Sequence, residues 1–266
     1  GKQQAAGGGD RCDHLAGAYG RPEAGGASTL AGAGELSVTG ASSSWSGGTL
    51  SGNLRVASGG TLAMNGGVKN IGNGSLTNQG TVVWSAGNIE QINGSTAMMI
   101  ENQSGSLFDI QGDLTLGAGS ISGNYDNTLT FVNQAGGELR RSAGTGTTLL
   151  GWQSDGDNGQ NFNLQNAGAV NIQTGTVRIG LAGTPAASTG TFGVSGGAVL
   201  DYGSGSHTFT GVTQSGAGAL RLSGGAITFT GASTATNLQL AGGTLTVSGG
   251  GTVGASNLAF SSGTLA

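Results

Sequence analysis

Charged side chains are scarce in this sequence. Lys, Arg, Asp and Glu together make up 8% of its 266 residues, against about 25% in an average soluble protein. The nine basic residues are scattered, and lysine occurs only at positions 2 and 69. Because binding to a phosphate backbone requires clustered basic residues, the sequence predicts no nucleic-acid partner. It also lacks an uninterrupted apolar run of about 18 residues, so we expect no transmembrane helix.

Proline and cysteine are nearly absent as well, with two residues and one residue respectively. The lone Cys12 cannot form a disulfide within the chain, and its role does not follow from the sequence. Disordered segments are usually rich in proline and charge, which excludes that class for most of the chain. Collagen is excluded because the 58 glycines do not fall at every third position. An ordered, glycine-rich β protein remains.

Apolar residues recur in two columns, with steps of 18 to 20 residues, in the last third of the chain. Within each copy, apolar and other residues alternate, which is typical of a β-strand with one buried face. Self-similarity at this period indicates a stacked repeat. The first column contains Leu200/Tyr202, Leu220/Leu222, Leu238/Leu240 and Leu258/Phe260, and the second contains Phe209, Ile227/Phe229, Leu245/Val247 and Leu265.

A repeat of roughly 20 residues holds three short strands and three turns, with no room for a helix. We therefore predict an all-β parallel β-helix, a solenoid of triangular coils stacked about 4.8 Å apart. Residues 1–27 lack strand periodicity and are predicted to form a flexible or capping segment. The β-helix is predicted over residues 28–266, with irregular coils to about residue 190 and regular coils beyond.

Asparagine marks the predicted corners. Asn53, Asn237 and Asn257 each precede a strand pattern, and asparagine tolerates the backbone conformation of tight bends, so we expect their amides to stack between coils. Four further segments share an Asn-x-(x)-Gly pattern, and the uneven spacing of their asparagines predicts insertions. The expected loops are Asn88–Met99 and Leu150–Asn161, and the four asparagines are Asn78, Asn102, Asn133 and Asn166.

Two kinds of segment resemble known bacterial repeats. LTNQGTVVWSAGNI (Leu76–Ile89) and LQNAGAVNIQTGTVRI (Leu164–Ile179) resemble coils of secreted haemagglutinin-type solenoids. SGAGALRLSGGAITFTG and LAGGTLTVSGGG resemble the passenger repeats of autotransporter proteins. The likeness is compositional and covers roughly residues 28–266. It implies a right-handed parallel β-helix at the bacterial surface that serves adhesion, aggregation or matrix building.

From this resemblance we expect a non-enzymatic extracellular structural or adhesive rod. The pattern stops in mid-repeat at Thr264–Ala266, so we expect either a fragment or an open end that pairs with another copy in a fibre. Glycans or proteins of a host or matrix are the other expected partners. The alternatives are a polysaccharide-degrading β-helix enzyme, either a lyase or a hydrolase, and a glycan-binding module.

Few residues have the pattern of a chemical site. Asp155 and Asp157 form a candidate calcium loop, with a solvated turn as the alternative, and no other cofactor is predicted. Asp109 and Asp113 are close in sequence, but no acidic residue recurs at coil spacing to place two carboxylates across a glycosidic bond. The segment Glu138–Arg141 is predicted to be a solvated corner.

The three tryptophans are the candidates for glycan contact. Trp45, Trp84 and Trp152 lie near irregular coils, where an indole can stack on a sugar or fill a wide part of the core. A Thr-x-Thr array of the ice-binding kind is a further alternative, since Thr228/Thr230 and Thr244/Thr246 repeat. We do not expect the threonines to align in one column over many coils.

Overall fold

The computed structural model describes residues 28–92, 98–118, 128–152, 161–180 and 187–266, without the side chains of residues 118, 152 and 161. Within these ranges the chain contains no helix, and its strands stack in parallel in about nine coils. The predicted all-β parallel β-helix is therefore confirmed. The prediction for residues 1–27, including Cys12, concerns residues outside the described ranges and stays a prediction.

The strands form three faces, and each strand pairs with its counterpart one coil away. The first face contains β3 (Ser43–Trp45), β6 (Thr61–Met64), β9 (Thr81–Trp84), β12 (Leu107–Gln111), β15 (Glu138–Ala143), β18 (Ala169–Ile172), β20 (Thr191–Val194) and β23 (Thr213–Ser215). The second face contains β1 (Thr29–Leu30), β4 (Gly48–Leu50), β7 (Lys69–Ile71), β10 (Ile89–Gln91), β13 (Thr115–Ala118), β16 (Thr147–Trp152), β19 (Thr176–Ile179), β21 (Val199–Tyr202) and β24 (Ala219–Leu222).

The third face begins with one six-stranded sheet, β2 (Glu35–Val38), β5 (Asn53–Val56), β8 (Ser75–Asn78), β11 (Met98–Asn102), β14 (Thr128–Asn133) and β17 (Asn161–Asn166). It continues with β22 (Ser206–Phe209) and β25 (Ala226–Phe229), which pair with each other but not with β17. The last two strands, β26 (Ala232–Val247) and β27 (Thr252–Leu265), bend around all three faces in turn. One coil thus becomes a nearly continuous strand toward the C-terminal end.

The strand register confirms both predicted apolar columns. Leu200, Leu220, Leu238 and Leu258 lie directly over one another on the second face. On the third face, Phe209 lies below Phe229, and Ile227 lies below Leu245. Except for Leu258, which is exposed on the last strand, these side chains belong to one apolar core that extends from Val38 to Leu245. Because burial of one such side chain contributes roughly 1.5–3 kcal/mol, the continuous core is the main source of stability.

Four asparagines form a ladder inside the third face. Asn78, Asn102, Asn133 and Asn166 are in register and fully buried. The Nδ2 of each of the first three donates to the Oδ1 of the next over 2.8 Å. The second amide hydrogen of each of the four is donated to a backbone carbonyl at the start of a neighbouring first-face strand, on Leu107, Glu138, Ala169 and Thr191 in turn.

The predicted amide stacking therefore occurs, but mainly at other asparagines. Asn257 does donate to Asn237 over 2.9 Å, although at an exposed position, and Asn53 instead accepts a hydrogen bond from Ser75. The loop prediction for Asn88–Met99 is wrong at Ile89–Gln91, because these residues pair with β7 and β13 as a regular strand. Met98 and Met99 also belong to a strand, β11, and residues 93–97 and 153–160 lie outside the described ranges.

Candidate functional site

Two of the three candidate tryptophans are buried. The exposed fractions of Trp45 and Trp84 are 3% and 0%, and their indole N–H groups donate to the backbone oxygens of Gly47 and Gly87 over 3.0 and 2.7 Å. A sugar needs an accessible ring face, so the predicted glycan contact is wrong for these two residues. The alternation of Val82 and Trp84 along β9 is the signal that would have indicated burial. The side chain of Trp152 lies outside the described part.

The candidate calcium loop at Asp155 and Asp157 lies outside the described residues, and it stays a prediction. Across the ranges that are described, no three His, Cys, Asp or Glu side chains lie together in a group that could hold a metal ion.

Asp109 is a buried carboxylate on the outer side of β12, and its partners come from the next coil and from β12 itself. Arg140, its neighbour in register on β15, donates from Nε and Nη2 over 3.1 and 3.0 Å. Ser142 and Gln111 complete its hydrogen bonds over 2.9 and 2.8 Å. Burial raises the pKa of Asp109, but the hydrogen bonds from Arg140, Gln111 and Ser142 outweigh it and hold the pKa below its usual value. Such a carboxyl group is a poor proton donor at neutral pH.

The same arrangement recurs on the second face around Asp201. Arg221, in register on β24, donates to Asp201 from Nε and Nη2 over 3.0 and 3.1 Å, and Ser223 donates over 3.0 Å. Arg178 from the preceding coil approaches the same carboxylate to 3.8 Å. In both clusters an Arg-x-Ser sequence follows the aspartate by one coil. Sequence reasoning missed both ion pairs; the shared Arg-x-Ser pattern was a signal, but the aspartate precedes its arginine by 31 residues in one cluster and by 20 in the other.

The prediction that Glu138–Arg141 is a solvated corner is wrong at Arg141. Arg140 points outward, whereas Arg141 points inward, in register with Ile110 and Ile172, and is fully buried. Its Nη2 donates to Asp113 over 2.6 Å and to the Gly146 oxygen over 3.1 Å. Burial lowers the pKa of this guanidinium, while the Asp113 carboxylate opposes the shift. Arg141 therefore links β15 to the turns that precede β13 and β16.

Some threonines of the third face align between coils. Thr208, Thr228 and Thr246 lie in one column over three coils of the third face, and Thr210 and Thr230 hydrogen-bond to each other over 2.7 Å. The column covers three coils, so the expectation that the threonines do not align in one column over many coils stays a prediction. The parallel pairing places their backbones about 4.8 Å apart.

The Asp109 cluster leads to a first prediction. Replacing Asp109 by alanine is expected to lower the free energy of unfolding by about 2 kcal/mol, because a buried charged hydrogen-bond partner is lost while Arg140 can partly rehydrate. Urea denaturation measures the change. The matched control is Glu35→Ala, which breaks the exposed Glu35–Arg55 pair and should cost less than about 0.5 kcal/mol. Equal effects of the two substitutions would contradict a structural role for the Asp109 cluster.

In the described ranges, no helix has the length and apolar composition needed to cross a bilayer. In comparisons with known proteins, no family model, no curated protein and no solved structure matches this chain.

Proposed function

We propose that this chain is a non-enzymatic extracellular rod of a bacterial surface or matrix, which serves adhesion, aggregation or biofilm formation. The observation that carries the proposal is the single apolar core, from Val38 to Leu245, around which the described coils stack. Such a stack transmits its geometry from coil to coil, because each repeat contacts its neighbours along its whole length. A rod of this kind holds binding surfaces at a fixed distance from their anchor.

The state of the carboxylates also supports a structural role. Asp109, Asp113 and Asp201 each pair with an arginine, and the two buried ones lie on different faces. A glycosidase needs two carboxyl groups that flank one bond and differ in protonation. The ion pairs of this chain instead link neighbouring coils, which favours rod stiffness over catalysis.

Self-association is the partner that we propose for the rod. On the last strand, β27, the exposed fractions of Leu258, Phe260 and Leu265 are 58%, 53% and 58%. These side chains lie at the end of the stack, where earlier coils are covered by the next coil. The edge of β27 also presents unpaired backbone groups, and such edges promote strand addition. A second copy of the chain stacked on β27 would cover both.

Sedimentation velocity of the full chain tests this proposal. We expect concentration-dependent oligomers, which the combined substitutions Leu258→Lys and Phe260→Lys abolish because they place charge on the apolar end. The control, Ala259→Lys, puts one lysine on the outer side of the same strand and should leave the oligomers intact, whereas Leu258→Lys alone should already weaken them. A wild-type chain that stays monomeric at high concentration would contradict self-association.

Two further assays address the biological role. Display of the full chain on a non-aggregating bacterium is expected to increase settling and surface attachment. Incubation with acidic and neutral polysaccharides, with and without calcium, is expected to release no shortened chains. Release of reducing ends or unsaturated sugars would instead favour the hydrolase or lyase alternative.

A further inference from the structure

A polar groove lies on the outside of the first face, where three successive coils meet a corner. Asn171, Gly193 and Ser215 are in register across β18, β20 and β23, so they form one line along the rod axis. The groove has a volume of about 210 Å³. The remaining polar lining comes from Gln173 and Ser195, which are both exposed.

Gly193 creates this groove because it leaves the middle coil without a side chain. A Cβ atom at this position would lie 2.4 Å from Oδ1 of Asn171. The amide oxygen of Asn171 therefore lies over the floor of the groove, in space that any other residue at position 193 would occupy. Nδ2 of the same amide donates to Glu138 over 2.9 Å, which holds the side chain in this orientation. The groove thus contains an acceptor that is positioned in advance.

The lining indicates the chemistry of a ligand. Its polar side chains are two amides and two hydroxyls, at Asn171, Gln173, Ser195 and Ser215, and none of them carries a charge. Amides and hydroxyls both donate and accept hydrogen bonds, which suits the hydroxyl groups of a sugar. A carboxylate, sulfate or phosphate would find no cation in this lining. The Glu138 carboxylate behind Asn171 would also repel it.

The shape of the groove also restricts the ligand. Its volume of about 210 Å³ is below the roughly 300–1,000 Å³ of pockets that enclose a drug-sized molecule. The groove extends over two coil steps, or about 10 Å along the rod. It therefore suits one side of an extended chain better than a small molecule that must be surrounded.

We propose that this groove is a contact site for neutral glycan chains. Gly193 provides the space, Asn171 provides a fixed acceptor, and the hydroxyls of Ser195 and Ser215 complete the contacts from the next two coils. The proposal rests on the proposed function, because it names neutral glycans as the class of partner that the adhesive rod binds. No bond is made or broken in it.

The test uses the full chain and an array of neutral oligosaccharides, followed by calorimetry with the strongest ligand. Gly193→Ala is expected to weaken binding about tenfold or more, since it fills the groove and displaces a hydrogen-bonding amide. Asn171→Ala should weaken binding to a similar extent. The matched control is Gly254→Ala, in a first-face position of β27 where a new Cβ would meet no atom closer than 4.0 Å, and it should bind as the wild type does.

Folding and binding are separated in the same experiment. The atom that Gly193→Ala displaces is the end of a flexible side chain, so its thermal unfolding should stay close to that of the Gly254→Ala control. The proposal is overturned if no neutral oligosaccharide binds, or if Gly193→Ala binds as tightly as the wild type. Preferential binding of acidic glycans that weakens with salt would also overturn it, because it would indicate contacts with exposed arginines. Each of these results leaves the sedimentation and aggregation tests unaffected.

Discussion

Replacing Asn102 by alanine is expected to lower the free energy of unfolding by about 3–5 kcal/mol. Asn102 occupies a middle position of the buried ladder, where it accepts hydrogen bonds from Asn78 and Ser106. It also donates to Oδ1 of Asn133 and to the backbone oxygen of Glu138. Alanine leaves the last two acceptors buried without this donor, and each such loss costs roughly 1–3 kcal/mol. The cavity left by the amide adds to the loss.

Urea denaturation of the two chains measures this effect, with the slope of the transition checked for a change in cooperativity. The control is Asn257→Ala, which removes the same kind of hydrogen bond between two side-chain amides, here to Asn237 at an exposed position. Water replaces the lost partner there, so the cost should stay below about 0.5 kcal/mol. If both substitutions cost the same small amount, the ladder does not hold the coils together.

Lys69 gives the second large effect, through the dependence of stability on pH. Its side chain is fully buried inside the second face and donates to the backbone oxygens of Gly67 and Ala86 over 2.7 and 2.5 Å. No carboxylate is paired with it among the described ion pairs. Burial lowers the pKa of Lys69 from 10.5 to about 8.

The lowered pKa determines the sign of the effect. Between about pH 8 and 10.5 the unfolded chain binds a proton on Lys69 that the folded chain has lost, so stability rises with pH in this window. Below about pH 8 both states are protonated, and the folded state bears the full cost of a buried ammonium. A shift of this size corresponds to as much as about 3 kcal/mol.

Lys69→Met is therefore expected to abolish the rise in stability between pH 8 and 10, measured by urea denaturation at intervals of one pH unit. At pH 7 the variant should be more stable than the wild type by about 1–3 kcal/mol. This gain is smaller than the full cost of the buried ammonium because the variant loses two hydrogen bonds to carbonyl groups. Arg55→Met removes an exposed cation and should leave the rise unchanged. An equal rise in the Lys69→Met variant would show that another group causes it.

Much of the fold could be predicted from short patterns. The alternation in segments such as Ala219–Leu222 and Ala226–Phe229 indicates which residues face the core, and the structure places them there. The same alternation, applied consistently, assigns Trp84 and Arg141 to the interior. Those two were misjudged because residue type was given more weight than position in the strand: tryptophan suggested a sugar platform, and arginine suggested solvent.

The candidate sites depended on contacts that sequence spacing does not reveal. The ladder asparagines share a sequence pattern, but their separations of 24, 31 and 33 residues give no constant period that predicts the hydrogen bonds between them. Gly193 is one of 58 glycines, and nothing in its local sequence indicates that it opens a groove beside Asn171. Both features appear only after the coils are placed in register.

The amino-acid sequence by itself determined the coil, the buried side of each strand and the scarcity of free charge, because these depend on residues two positions apart or one regular repeat apart. The tertiary structure decided which coils became neighbours where the repeat length varies. Hydrogen bonding between parallel strands aligns side chains across the axis whatever the length of chain between them. Buried amides, paired carboxylates and the open groove follow from that alignment.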